Sequence, residues 1–242
     1  MDFILFFLFQ ILAFFLPAYL IGSIPNAVWI GKVFYGKDIR NEGSRNAGAT
    51  NTIRVLGLKP GLCVLALDLL KGILPLALMS IYFHYPSQLD PTWNALDVEV
   101  KDFYTFFAYY AYYFHAFFVA IGTVLGHVFP IYVGFHGGKG VATLVGVLIM
   151  LYPQVFLIVA GVFFGVFFLS RYVSLSSMIA AISLPLLQFA FFQFDKLPLL
   201  IFAILIAIFV PLTHIKNIKR LIHSEEPKFV FKKHSTHDQP RP

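Results

Sequence analysis

Residues 38–51 read DIRNEGSRNAGATN. Two arginines, three asparagines, a serine and a threonine alternate there with Gly and Ala, close behind an apolar run, 3–21, long enough to cross a bilayer. A stretch this rich in hydrogen-bond donors is costly beside lipid unless something satisfies it. Arg presents a rigid fork of N–H groups suited to phosphate oxygens. The stretch is therefore read as a phosphate-binding loop at a membrane surface.

The rest of the chain supplies the membrane. Its 242 residues are 59% hydrophobic and only 12% charged, against about 25% charged in soluble domains. The mean hydropathy is +0.78. At about 20 residues per span, the length allows roughly six to eight helices. The apolar runs are continuous and do not alternate, which argues against a transmembrane barrel. The net charge of +6 gathers in the loop after the first run and in the C-terminal tail, a positive-inside pattern and not a nucleic-acid surface. A single cysteine, Cys63, gives neither a disulfide framework nor a thiol–metal cluster.

Working outward, the first run is preceded by Asp2 and by no Lys or Arg, so it lacks the positive region of a signal peptide and reads as a retained span. Gly22-Ser23-Ile24-Pro25 ends or kinks it, residues 27–36 form a short amphipathic interfacial piece, and residues 52–55 are helix-like. Further spans are expected at 62–83, 104–126, 141–151, 155–169, 175–192 and 197–212. Residues 85–102, with Asp90, Asp97, Glu99 and Asp102 against Lys101, read as an extracytoplasmic loop, and Asp195 and Lys196 mark an outer turn. The fold class is thus an all-α integral membrane protein, a seven-transmembrane-helix bundle with cytoplasmic active-site loops. Its N-terminus lies outside, its C-terminus inside. Residues 1–226 form one domain and 227–242 a polar, flexible tail. Asp68 and Lys71 share a face of the second span; they either satisfy each other or serve the site. His115, alone among aromatics, reads as a packed residue.

This topology places four polar stretches on one side: 23–54, 126–143, 170–177 and 214–226. In the second, Gly137-Gly138-Lys139-Gly140 precedes a helix, where glycine amides, a helix dipole and a formal charge can hold an anion. It is not a Walker A loop, because Gly140 stands where Ser or Thr should hold magnesium. In the first, Ser44, Asn46, Thr50, Asn51 and Arg54 surround fixed positive charge; the plainer reading is an interfacial helix with Thr50 or Asn51 as its N-cap. In the last, His214 and Asn217 share a helical face, with Arg220 beyond. There is no convincing nucleophile: no Gly-x-Ser-x-Gly elbow, and no His followed five residues later by Asp. Acyl transfer here would need a donor that is already activated.

These motifs resemble the PlsY-type acyl-phosphate:glycerol-3-phosphate acyltransferases of bacteria. Gly22–Pro25, Asp38-Ile39-Arg40 and the run 43–51 match the family's first motif. Gly126-His127-Val128-Phe129-Pro130, Phe135 and the run 137–143 match the second. His214, Asn217-Ile218, Arg220-Leu221 and Glu226 match the third. Arg45 and Ser224 stand where the family usually has Gly. The resemblance implies acyl transfer from a fatty acyl phosphate to the sn-1 hydroxyl of glycerol 3-phosphate, giving 1-acylglycerol 3-phosphate and phosphate. It implies catalytic roles for Ser44, Lys139, His214 and Asn217. Substrate would be bound by Ser23, Arg40, Asn46, Thr50, Asn51, Arg54, Gly137, Gly138, Gly140, Arg171, Ser174, Ser177 and Arg220. No cofactor and no metal are expected. The partners are the two substrates and membrane lipid, with no nucleic acid; the chain is expected to be a monomer in the bacterial inner membrane. The hydroxyl proton goes to a substrate phosphate or to His214. A carrier of phosphorylated solutes is the competing reading; it would need a polar path at mid-membrane or repeated halves.

Overall fold

The computed structural model describes residues 3–89, 98–192 and 197–229. Among them are ten α-helices: α1 (Phe3–Gly22), α2 (Asn26–Tyr35), α3 (Ala49–Leu56), α4 (Leu58–Leu89), α5 (Val98–Val128), α6 (Val141–Leu151), α7 (Pro153–Ser170), α8 (Val173–Phe192), α9 (Leu197–Thr213) and α10 (Ile215–Ile222). Apolar residues surround most of them, as expected of helices packed on one side and wetted by lipid on the other. Five helical stretches are long and apolar enough to cross a bilayer, and α9 with α10, bent by 59°, makes a sixth if counted as one span. The protein is a multi-pass integral membrane protein.

The expected loop at 85–102 is corrected. Helix α4 runs on to Leu89 and α5 begins at Val98, so most of that segment is helical. Residues 99 and 102 fall within α5. Asp90, Asp97, Asp195 and Lys196 lie outside the described residues, as do tail residues 230–242. The expected span at 141–151 is found as α6, but with 11 residues it is about 16 Å long, roughly half the hydrocarbon thickness.

Close helix approaches fix the bundle. A Cβ on Gly22 or Gly126 would lie 2.2 Å from a backbone oxygen of the facing helix, so α1 and α5 touch main chain to main chain. The same holds between α4 and α6, where a Cβ on Gly72 would lie 2.1 Å from the Thr143 carbonyl and one on Gly146 2.2 Å from that of Leu69. Small residues that let backbones meet are how membrane helices associate without a hydrophobic driving force. This second contact holds the short α6, and the polar loop before it, against α4. Leu76, Ala116, Ala120, Val147, Phe202 and Ala203 are fully buried in the shared core. His115 is packed, as expected: its ring sits between Phe14 and Phe83, with Nδ1 2.6 Å from the Ala111 carbonyl.

Candidate active site

The first polar loop is closed by one side chain. Asn51 lies inside α3, and its Oδ1 accepts from the Ser44 amide at 2.8 Å while Nδ2 donates to the Ile39 and Glu42 carbonyls at 2.9 and 3.1 Å. The turn passes so near that a Cβ on Gly43 would lie 2.4 Å from Asn51 Oδ1. Neither Thr50 nor Asn51 caps α3; Gly48 is the N-cap. Arg40 is likewise structural. It pairs with Asp38 at 2.8 Å, holding that carboxyl well below its usual range, and donates to the Val133 carbonyl at 3.0 Å. The first and second polar loops are thereby stapled together.

The Gly-rich loop differs from expectation in one respect. The amides of Gly137 and Gly138 donate to the Val128 and His127 carbonyls at the end of α5, both at 3.2 Å. These two N–H groups are engaged inside the protein and do not face an anion. Their role is to set the loop: a Cβ on Gly138 would meet His127 Nε2 at 2.2 Å. Beneath it, His127 lies 3.0 Å from the Thr143 hydroxyl and 3.7 Å from Asp68. Asp68 also accepts from Asn26 at 2.9 Å and pairs with Lys71 at 3.1 Å, while Lys71 donates to the Ile24 carbonyl at 2.7 Å. The Asp68–Lys71 pair therefore satisfies itself and also supports the site from below.

Lys139 and the third polar stretch meet directly. The Lys139 ammonium donates to Asn217 Oδ1. Asn217 Nδ2 donates to Glu226 at 2.6 Å, as do the Ser174 hydroxyl at 2.7 Å and Arg220 Nε at 2.7 Å. Burial of Glu226 would raise its carboxyl, but these donors outweigh it and leave the group below its usual value. Burial pushes the Lys139 ammonium down to about 8; Glu226 pulls it up, and Arg220 and Arg54 push it further down. His214 Nδ1 lies 2.8 Å from the Val210 carbonyl. A carbonyl only accepts, so Nδ1 carries a proton; burial pushes the imidazole down to about 4, so at neutral pH the ring is uncharged and Nε2 keeps its lone pair.

A cavity of about 510 Å³ connects these groups. Ser44, Asn46, Thr50, Asn51, Arg54, Lys139, Gly140, Ser174, Ser177, His214, Asn217 and Arg220 all line it. Ser23, Arg40, Gly137, Gly138 and Arg171 do not. Ser23 donates to the Tyr19 carbonyl at 2.7 Å inside the α1–α5 contact, and Arg171 ends α7 in the left-handed region. From the polar end, an apolar slot descends between α6, α7 and α8, past Leu144, Leu148, Val159, Phe163, Ala181 and Leu184. Sequence reasoning did not assign Glu226 to the site, although it is the acidic residue that gathers Ser174, Asn217 and Arg220. Its only sequence signal was its place at the end of the third motif.

Arg54, Lys139 and Arg220 thus stand with Glu226 at the polar end of an apolar slot in a multi-pass membrane protein. The sequence pattern describing glycerol-3-phosphate acyltransferases matches residues 12–224. A glycerol-3-phosphate acyltransferase of Macrococcus caseolyticus is 40% identical over 93% of this chain and 100% of its own. Two crystal structures of PlsY (YgiH), an integral membrane glycerol 3-phosphate acyltransferase, superpose with TM-scores of 0.74 for the glycerol 3-phosphate form and 0.71 for the lysophosphatidic acid form. They are 36% and 34% identical and cover 91% of this chain, and 96% and 95% of their own. The chain belongs to the glycerol-3-phosphate acyltransferase family.

Proposed function

We propose that this protein transfers a fatty acyl group from an acyl phosphate to the sn-1 hydroxyl of glycerol 3-phosphate. The observation that carries the reading is the convergence of Arg54, Lys139, Arg220, Ser44 and His214, from three separate stretches of chain, on one cavity that continues as an apolar slot. Both substrates bring phosphate to the cationic end, and the donor's chain occupies the slot. The hydroxyl oxygen attacks the acyl carbonyl carbon. The bond between that carbon and the phosphate oxygen then breaks, and phosphate leaves with the electron pair. Phosphate is a good leaving group, so no protein nucleophile is needed and catalysis is positioning and charge stabilisation. Lys139 and Arg54 balance the developing charge; Ser44 and Asn217 orient the phosphates. The hydroxyl proton passes to a substrate phosphate or to the bare Nε2 of His214.

In this reading the chain crosses the bacterial inner membrane seven times, N-terminus out and C-terminus in, as a monomer. The basic residues Lys32, Lys37, Arg40, Arg45, Arg54 and Lys59 support a cytoplasmic position for the polar face. The short α6 fits as the seventh span if the loop before it is sunk into the bundle, and the partial burial of Lys139 and the full burial of Gly138 and Gly140 beside it support this. The test is purified protein with palmitoyl phosphate and glycerol 3-phosphate: lysophosphatidic acid and phosphate should form in equal amounts. Product from palmitoyl-CoA but none from palmitoyl phosphate would overturn the donor assignment.

A further inference from the structure

The wall of the cavity at its polar mouth is closed by residues that lie past the end of the family match at 224. Glu226, held by Ser174, Asn217 and Arg220, fixes the start of a short extended strap. Its far end is tied to α7: the Phe229 amide donates to the Arg171 carbonyl at 2.8 Å, and the Phe229 ring lies 5.8 Å from that of Phe167. Between them, the Lys228 ammonium sits 5.7 Å from the centre of the Tyr172 ring. Side chains of an extended segment point alternately to opposite sides. Here Pro227 and Phe229 line the cavity, and Lys228 is turned to Tyr172.

The strap runs from the cationic cluster, where Glu226 meets Ser174 and Arg220, to the aromatic face of α7 at Phe167. In the reading above, this is where the donor's carbonyl carbon and the first carbons of its chain sit. An acyl phosphate is open to attack by water as well as by an alcohol. In the competing reaction, water oxygen bonds to the carbonyl carbon, phosphate leaves with the electron pair, and the water proton passes to phosphate or solvent. Apolar side chains that dry the carbonyl but leave the polar side open to glycerol 3-phosphate decide which acceptor wins. We infer that Pro227 and Phe229 are acceptor-specificity residues, forming the apolar wall that directs the acyl group to glycerol 3-phosphate and away from water. The inference rests on the proposed acyl-phosphate chemistry.

The experiment uses the full chain in detergent, with palmitoyl phosphate and saturating glycerol 3-phosphate, and measures free palmitate against lysophosphatidic acid. Phe229→Ala should raise that ratio about tenfold, the scale set by removing a half-buried aromatic ring, and should raise KM for palmitoyl phosphate but not for glycerol 3-phosphate. Phe229→Leu, which restores an apolar side chain, should return the ratio most of the way, and Lys228→Ala should leave it unchanged. Pro227→Ala, with the Phe229 anchor intact, should raise the ratio in the same direction and serves if Phe229→Ala does not fold. An unchanged ratio in Phe229→Ala or Pro227→Ala, with normal lysophosphatidic acid formation by the parent, overturns the inference alone. A parent protein that makes no lysophosphatidic acid from palmitoyl phosphate overturns both the inference and the proposed function.

Discussion

Replacing Lys139 tests the site most directly. Its ammonium is one of three cations lining the cavity, with Arg54 and Arg220, and it holds Asn217 by donating to Oδ1. Lys139→Ala removes the charge and leaves that oxygen without its donor. Losing one preorganised electrostatic donor costs about 100- to 1,000-fold in kcat, roughly 3–4 kcal/mol. The pH dependence adds a second, independent handle. Because burial lowers this ammonium to about 8, it is charged below that pH and loses its proton as pH rises through it. The plot of kcat/KM, which reports the free enzyme, should therefore fall above about pH 8. A bound phosphate favours the ammonium, so the corresponding limb in kcat should lie at higher pH. Lys139→Arg, whose guanidinium stays protonated, should lose the alkaline limb in kcat/KM while keeping part of the activity. Assays of lysophosphatidic acid formation from pH 6 to 10 decide it. Retention of more than a tenth of kcat in Lys139→Ala, or an unmoved alkaline limb in Lys139→Arg, would refute the assignment.

Four other outcomes follow from the same geometry. Glu226→Ala should cut kcat/KM about 100-fold, because Ser174, Asn217 and Arg220 all lose their acceptor; Glu226→Gln should recover part of it, and equal loss in both would point to charge alone. Arg45 and Ser224 sit at φ +59, a conformation costing about 1–2 kcal/mol outside glycine. After glycine's own chain-entropy cost of about 0.5–1 kcal/mol, Arg45→Gly and Ser224→Gly should each raise the melting temperature by about 2 °C; thermal unfolding in detergent checks it. Gly146→Ala forces a Cβ to within 2.2 Å of the Leu69 carbonyl and should destabilise by about 1–3 kcal/mol. Gly161→Ala, with nothing within 4 Å, is the matched control and should melt no lower than the parent. In the proposed mechanism protein cations supply the charge for both phosphates, so EDTA should leave turnover intact; loss restored by magnesium would point to a different transferase chemistry.

Much of the fold was legible because lipid enforces a simple rule: runs of apolar residues become helices whose amides are satisfied internally. The bounds of α6 could be read from the Gly-rich loop before it and from Pro153 after it, and the start of α9 from the polar pair Asp195 and Lys196. The ends of α4 and α5 could not. Helices extend past the bilayer wherever the local sequence tolerates it, and hydropathy reports only the part in lipid. The gathering of Ser44, Lys139 and Asn217 was legible from charge bias and motif order. The division of labour among neighbours was not, because it depends on which hydrogen bonds are made across the loops. Asn51 looks as suited to a phosphate as Asn217, yet its amide is fully engaged in closing its own loop. Gly137 and Gly138 look like anion-binding amides, yet they terminate α5.

That division explains how so polar a site survives beside lipid. Asn51, Arg40, Gly137, Gly138 and the Asp68–Lys71 pair satisfy the backbone and the buried charges that the loops bring in. Their polar groups find partners within the protein. Other groups at the cavity are set differently: Arg54, Lys139 and Arg220 line it beside Glu226, which pairs with Arg220, while Asp68 is already paired with Lys71, so the mouth of the slot carries an excess of positive charge. In a partly dehydrated pocket such an excess is unfavourable, and burial with the neighbouring Arg220 and Arg54 lowers Lys139 accordingly. A phosphate-bearing substrate relieves the strain on binding. By linkage, its affinity should weaken as pH rises through the value for Lys139. A phosphate affinity that stayed flat between pH 7 and 9 would mean that the ammonium does not face the anion.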